Sequence, residues 1–256
     1  MNATAVRSVE TADRVVVYGL ALACAGGLLV WDASPAATYL VHDAGSRHPE
    51  GLAMLGIFTA AWLLMALATM LPSTTPLLTS FRRVVGARTN ADALTRWVIG
   101  GLVVAWATSG LAVAGIDLGI HSVAEVPLVR RHTPLILAGS LVLAGAYQLS
   151  PVARRCLHGC RSPFGFIGRH WSGRDNVVEQ SLSIGFDYGC SCLGCCAPLM
   201  VVMFAVGMGN PAFMVTLGVV GGVEKRAPWG PALVVPIGLA LLGAGALIAG
   251  IHLRSA

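Results

Sequence analysis

Four cysteines are crowded into seven residues of the segment FDYGCSCLGCCAPLM, which runs from residue 186 to residue 200. Two further cysteines lie four residues apart in the motif CLHGC, upstream in the same chain. Thiolates bind soft metal ions, Cu(I) above all, and they also suit zinc or an iron–sulfur cluster. Vicinal thiols can alternatively carry out redox chemistry. The six cysteines predicted as metal ligands are Cys156, Cys160, Cys190, Cys192, Cys195 and Cys196.

Methionines extend this sulfur pattern. From Cys192, sulfur-containing residues recur at i, i+4, i+8 and i+11, which on a helix places them within about 80° of one another. Two more methionines lie in the apolar segment WLLMALATMLPSTTP. A methionine at helical spacing more often serves packing than ligation, but thioethers combined with thiolates are the ligand set that selects Cu(I). The candidate secondary ligands are Met65, Met70, Met200 and Met203.

The elements that must position these residues are apolar. The chain has 256 residues, of which 55% are hydrophobic and 11% charged, and its mean hydropathy is +0.74. Soluble domains carry about 25% charged residues, so the composition predicts an all-α, polytopic transmembrane helix bundle that forms one domain over residues 1–256. About seven spans are predicted, near residues 15–31, 51–71, 97–116, 134–149, 186–206, 209–223 and 232–251.

Basic residues predict how this bundle is oriented. With a cytoplasmic amino terminus, 13 of the 17 lysines and arginines fall in cytoplasmic segments, as the positive-inside rule requires. Both cysteine motifs then lie at the cytoplasmic boundary, where thiols stay reduced and metal binding is favoured over structural disulfides. The net charge of +5 is explained by this asymmetry. The predicted partner is therefore the lipid bilayer and not nucleic acid.

Four sequence blocks resemble a known bacterial family, the predicted metal-binding integral membrane proteins, a domain without an assigned reaction. The blocks are MALATMLPSTTP, YQLSPVARRCLHGCRSP, YGCSCLGCCAPLM and GMGNPAFMVTLGVVGGVEK. They are similar to the family's Met-rich helix ending in Pro-Ser, its paired-cysteine block, its Cys-x-Gly-Cys-Cys motif and its terminal Glu-Lys. The resemblance implies a multi-pass protein of the bacterial cytoplasmic (inner) membrane.

The resemblance also implies a metal site formed by Cys156, Cys160, Cys192, Cys195 and Cys196, to which Cys190 is an addition. The chain departs from the family pattern in two places. Thr69 stands where a second consecutive methionine is usual, which removes one thioether, and Ala197–Pro198 replaces an aromatic residue.

Three functions are compatible with these residues. The leading hypothesis is storage, delivery or transport of a soft ion, with a metal-donor or metal-acceptor protein as a further partner. A membrane thiol–disulfide or quinone-linked oxidoreductase is the first alternative, and an assembly factor for a membrane metalloenzyme is the second. No phosphate-binding loop, nucleophile elbow or zinc-protease motif is found, so the sequence gives no indication of a hydrolytic enzyme.

Overall fold

The computed structural model describes residues 3–33, 52–124, 133–206 and 211–255, and most of these residues are helical. Apolar runs in a bilayer leave no partner for an unpaired backbone amide except within a helix. The all-α prediction is confirmed for the described part of the chain, which contains nine helices and no strand. They are α1 (Ala3–Asp32), α2 (Leu52–Val85), α3 (Ala91–Ala124), α4 (Thr133–Leu149), α5 (Pro151–Arg161), α6 (Pro163–His170), α7 (Val177–Val206), α8 (Pro211–Arg226) and α9 (Gly230–Ser255).

Five of these helices are long and apolar enough to cross a membrane, and α4 and α5 together make a sixth candidate that is bent by 60°. The predicted number of about seven is not reached within the described ranges. The stretch predicted at residues 209–223 corresponds to α8, which has 16 residues, fewer than the 17–25 that a span requires. The five helices contain the segments Arg14–Trp31, Leu55–Val85, Ala91–Ile116, Val177–Met203 and Gly230–Arg254.

Several helices extend well beyond the predicted spans, including the two that carry Met70 and the CLGCC cysteines. Helix α2 continues to Val85 instead of ending near residue 71, and α7 begins at Val177 instead of near residue 186. In α2 the polar run PSTTP does not stop the helix, because a threonine hydroxyl takes the place of the N–H that Pro76 lacks: Thr75 Oγ1 lies 2.7 Å from the Pro72 carbonyl oxygen. The hydroxyls of Ser73 and Thr74 likewise donate to the carbonyl oxygens of Met70 and Leu71.

Helix α7 is central in the bundle. It packs against α3, α4 and α5, and 56% of its candidate span is buried, compared with 17% for α1 and for α9. The outer helices expose large apolar side chains, such as Leu22 (72%) and Leu253 (68%). A water-soluble protein rarely exposes so much apolar surface, so this surface is compatible with contact with lipid.

Glycines allow α3 and α7 to approach until their backbones touch. A Cβ at Gly185 would overlap the Val98 carbonyl oxygen and would lie 3.1 Å from the Gly101 Cα. Small residues at such crossings are typical of helix packing in lipid. Since α7 also carries the cysteine motif, this crossing determines where the cysteines lie.

We expect Gly185→Ala to destabilise the protein by about 1–3 kcal/mol, because overpacking at this crossing forces the two helices apart. The thermal unfolding temperature in detergent micelles measures this effect. Gly139→Ala is the matched control, because a Cβ at residue 139 of α4 meets nothing within 4 Å. An equal unfolding temperature for the two variants would show that close contact at Gly185 is not required.

Candidate metal centre

The two cysteine motifs meet inside the bundle. Cys160 on α5 has its sulfur 3.7 Å from that of Cys195 on α7, and the Cys195 sulfur is 4.0 Å from that of Cys196. Two sulfurs that each lie about 2.3 Å from one ion at a tetrahedral angle are about 3.8 Å apart. All three cysteines are at most 6% exposed. Each of these two pairwise distances is therefore close to that between two ligands of one ion.

Two more sulfurs and a lysine complete this group. The Cys196 sulfur lies 3.6 Å from the sulfur of Met70 on α2. Lys225, near the end of α8, places its Nζ 3.2 Å from the Met70 sulfur and 3.1 Å from that of Cys192. We call Met70, Cys160, Cys192, Cys195 and Cys196 the sulfur cluster. Its five residues come from three helices, and a buried ammonium group contacts two of them.

The remaining predicted cysteines lie at the edge of the sulfur cluster or outside it. A Cβ at Gly194 would lie 2.6 Å from the Cys156 sulfur, so the glycine in CLGCC makes room for this half-buried cysteine against α7. Cys190 is exposed. Both cysteines of CLHGC thus pack on α7, one over Gly194 and the other over Cys195.

Two tyrosines hold the cysteine-bearing stretch of α7, one of them at a carbonyl group that a proline leaves free. Pro198 lies inside the helix and has no backbone N–H, so the carbonyl of Gly194, four residues earlier, loses its helical partner. The Tyr147 hydroxyl donates to that carbonyl oxygen at 3.0 Å. Tyr188 similarly donates to the Cys160 carbonyl oxygen at 2.8 Å and links α7 to the end of α5. These bonds fix the two motifs against each other.

Arginines hold Lys225 in place. Nη1 of Arg161 on α5 donates to the carbonyl oxygens of Glu224, Lys225 and Ala227 at 2.8, 3.1 and 2.8 Å, and so caps the C-terminus of α8. Arg226 donates to the Pro72 carbonyl oxygen of α2, which lost its helical partner to Pro76. The Pro-Ser motif thereby provides a docking point for the helix end that carries the lysine.

Glu224 does not contribute its charge to the sulfur cluster in the way Lys225 does. Its Oε1 accepts a hydrogen bond from Nε2 of the buried Gln148 at 2.9 Å. Burial raises the pKa of the Glu224 carboxyl to about 7, against an opposing effect of Lys225 and of the hydrogen bond. Lys225 is therefore the charged residue of this pair that contacts the sulfur cluster, through the sulfurs of Cys192 and Met70.

Neither Glu224 nor Lys225 is among the site residues predicted from the sequence. The structure places the lysine, and not the glutamate, against the sulfurs. The available signal was the terminal Glu-Lys of the fourth block. The three other candidate methionines, Met65, Met200 and Met203, line a cavity beside the sulfur cluster together with Met70.

The described residues contain no group of three or more histidine, cysteine, aspartate or glutamate side chains in a metal-binding arrangement. The thiols are instead distributed around Lys225 and Met70. The described cysteines are all free thiols.

Comparison with known proteins gives one long match and one short one. A stretch of 70 residues is 34% identical to D-glycero-alpha-D-manno-heptose-1,7-bisphosphate 7-phosphatase of Mycobacterium tuberculosis, in strains CDC 1551 / Oshkosh and ATCC 25618 / H37Rv. This stretch is 27% of the chain and spans only 37% of the phosphatase. No solved structure matches the chain.

The long match is to a family model described as PpoB2, copper chaperone, and it covers residues 59–248. The matched region is well over half of the chain. It includes α2 with Met70, both cysteine motifs and Lys225. The chain therefore belongs to the PpoB2 copper chaperone family.

Proposed function

We propose that this protein is a membrane-embedded copper chaperone that binds Cu(I) at the sulfur cluster and exchanges it with a partner protein. The observation that carries the proposal is the contact between Cys160 and Cys195, which unites two cysteine motifs 35 residues apart in the chain. Buried thiols with a thioether beside them form a ligand set that selects Cu(I) over hard cations. Family membership independently supports a copper-related role.

The proposed ligands follow from burial and contact. The sulfur of Cys195 lies 3.7 Å from that of Cys160 and 4.0 Å from that of Cys196. The Met70 sulfur follows, 3.6 Å from that of Cys196. Lys225 links Cys192 to the other sulfurs, because its Nζ contacts both the Cys192 and the Met70 sulfur. We place Cys156 as an outer thiol that exchanges copper with the cluster, and Cys190, which is exposed, outside it. Zinc and an iron–sulfur cluster suit thiolates alone, whereas the thioether of Met70 favours Cu(I).

Lys225 fits this function because it balances charge. Cu(I) held by two thiolates carries a net charge of −1, and an unpaired buried charge costs several kcal/mol. Lys225 is 8% exposed, and its ammonium group, 3.1 Å from the Cys192 sulfur, neutralises that charge. A thiolate site inside an apolar bundle needs such a partner.

We further propose an inner-membrane location with a cytoplasmic amino terminus. The support is the excess of basic residues in the segments assigned to the cytoplasm, 13 of 17. In this orientation the sulfur cluster lies toward the cytoplasmic side, where α5 and its arginines meet α7. We assign α8 to a short, partly inserted segment that makes the sixth predicted span incomplete. The partner would be a soluble or membrane protein that donates or accepts Cu(I).

Copper loading of the purified full-length protein tests the proposal. Under anaerobic, reducing conditions we expect one tightly held Cu(I) per chain, measured by elemental analysis after gel filtration. Bound copper should protect the cysteines of the sulfur cluster from alkylation, while the exposed Cys190 stays reactive and serves as an internal control. No retained copper, or copper that leaves the cluster thiols unprotected, would contradict the proposal.

A further inference from the structure

A small cavity adjoins the sulfur cluster between α2, α7 and α8. Its volume is about 30 Å³, and roughly 10–15 Å³ suffices for one water-sized sphere. Four methionines and one cysteine line it, namely Met65, Met70, Met200, Met203 and Cys196. It can therefore hold a bare ion but not an ion with its hydration shell.

Five of the nine lining residues carry sulfur, and the other four are Thr69, Leu199, Leu217 and Gly218. No charged side chain lines the cavity, and its one hydroxyl, that of Thr69, already donates to the Met65 carbonyl oxygen at 2.8 Å. A buried water needs two to four polar partners, and hard cations such as Mg²⁺ or Ca²⁺ need oxygen ligands. Uncharged thioethers instead suit a soft, singly charged cation. Methionines usually fill gaps in a core, but here they surround a space that stays open.

The cavity is continuous with the sulfur cluster. Met70 belongs to both, and its sulfur lies 3.6 Å from that of Cys196, which also lines the cavity. Along α7, Met200 and Met203 follow Cys196 by four and seven residues, which is about 6 and 10 Å at the helical rise. From Cys192 to Met203 the sulfur-bearing positions extend over about 16 Å, roughly half of a bilayer's hydrocarbon core.

We propose that this methionine cavity is a second site for a soft monovalent cation, Cu(I), which exchanges with the sulfur cluster through Met70 and Cys196. The inference rests on the proposed function, because the cavity needs the cluster as its donor or acceptor. Neutral thioethers provide no charge to balance the cation, so the cavity binds Cu(I) more weakly than the thiols do and releases it readily. Its role is to pass the ion along α7 between the cluster and the interior of the bundle.

Silver ions serve as the probe, because Ag(I) is a soft monovalent cation that is not oxidised during the measurement. The thiols outside the sulfur cluster, those of Cys24, Cys156 and Cys190, would bind Ag(I) themselves, so the experiment uses a parent chain in which all three are serine. Elemental analysis over a series of free Ag(I) concentrations should give two ions per parent chain, one tight and one weaker. The triple variant M65L/M200L/M203L removes three thioethers at nearly constant volume and keeps Met70. We expect it to lose the weaker ion and keep the tight one.

A rescue variant separates ligation from packing. Leu217 of α8 lines the same cavity. Adding Leu217→Met to the triple variant should therefore raise its affinity for the weaker ion at least tenfold. Leu141→Met is the matched control, because Leu141 is buried in a separate core cluster with Ala144 and Val202. Equal behaviour of these two additions, a weaker ion that survives in the triple variant, or a single ion in the parent chain would overturn the second site. Absence of a tight ion from the parent chain would instead overturn the proposed function.

Discussion

Replacing Cys195 by serine is expected to lower the affinity for Cu(I) at least 100-fold, or about 2.7 kcal/mol. Cys195 lies between the other thiols, with its sulfur 3.7 Å from that of Cys160 and 4.0 Å from that of Cys196. A serine hydroxyl is a hard, neutral group and a poor ligand for a soft ion. The variant therefore removes one sulfur, the one that contacts both the Cys160 and the Cys196 sulfur. Competition with a Cu(I) chelator of known affinity measures the change.

Cys190→Ser is the matched control for this experiment. It makes the same chemical change in the same helix, but at an exposed cysteine, so its Cu(I) affinity should equal that of the wild type. Thermal unfolding of the metal-free proteins checks that both variants fold. If Cys195→Ser binds Cu(I) as tightly as Cys190→Ser does, the sulfur cluster is not the copper site.

The sequence was sufficient to predict helices and the approach of the two cysteine motifs. Long apolar runs determine helices in a bilayer, and two cysteines four residues apart share a helix face. The structure accordingly places Cys156 and Cys160 against the same stretch of α7. Helix ends were harder to predict, because α2 continues through PSTTP by hydroxyl bonds that hydropathy does not register.

The direction of the Lys225 side chain could not be predicted from the sequence. It depends on the rotation of α8 about its own axis, which long-range contacts fix: Arg161 on the carbonyl oxygens at the helix end and Arg226 on the Pro72 carbonyl oxygen. The methionine cavity has the same origin, since α2, α7 and α8 contribute to it together. Periodicity along one helix predicts a face, whereas the arrangement of three helices decides what that face meets.

Lys225→Gln is expected to lower the affinity for Cu(I) by tenfold to 100-fold, or about 1.4–2.7 kcal/mol. The substitution keeps a long, flexible side chain beside Met70 and Cys192 but removes the ammonium group that contacts both sulfurs. The charge of −1 on a Cu(I)–dithiolate centre would then have no buried partner, which is costly in a medium of low dielectric constant. The chelator competition used for Cys195→Ser measures this loss on the same scale.

Arg254→Gln removes one positive charge from an exposed position near the end of α9, so it controls for the overall charge of the protein. Its Cu(I) affinity should match that of the wild type, whereas Lys225→Arg should lie between the wild type and Lys225→Gln, because it keeps the charge in a bulkier group. A tighter Cu(I) complex in Lys225→Gln, which adds no sulfur ligand, would show the opposite role for the lysine. The ammonium group would then compete with copper for Met70 and Cys192 instead of balancing the charge of the loaded site.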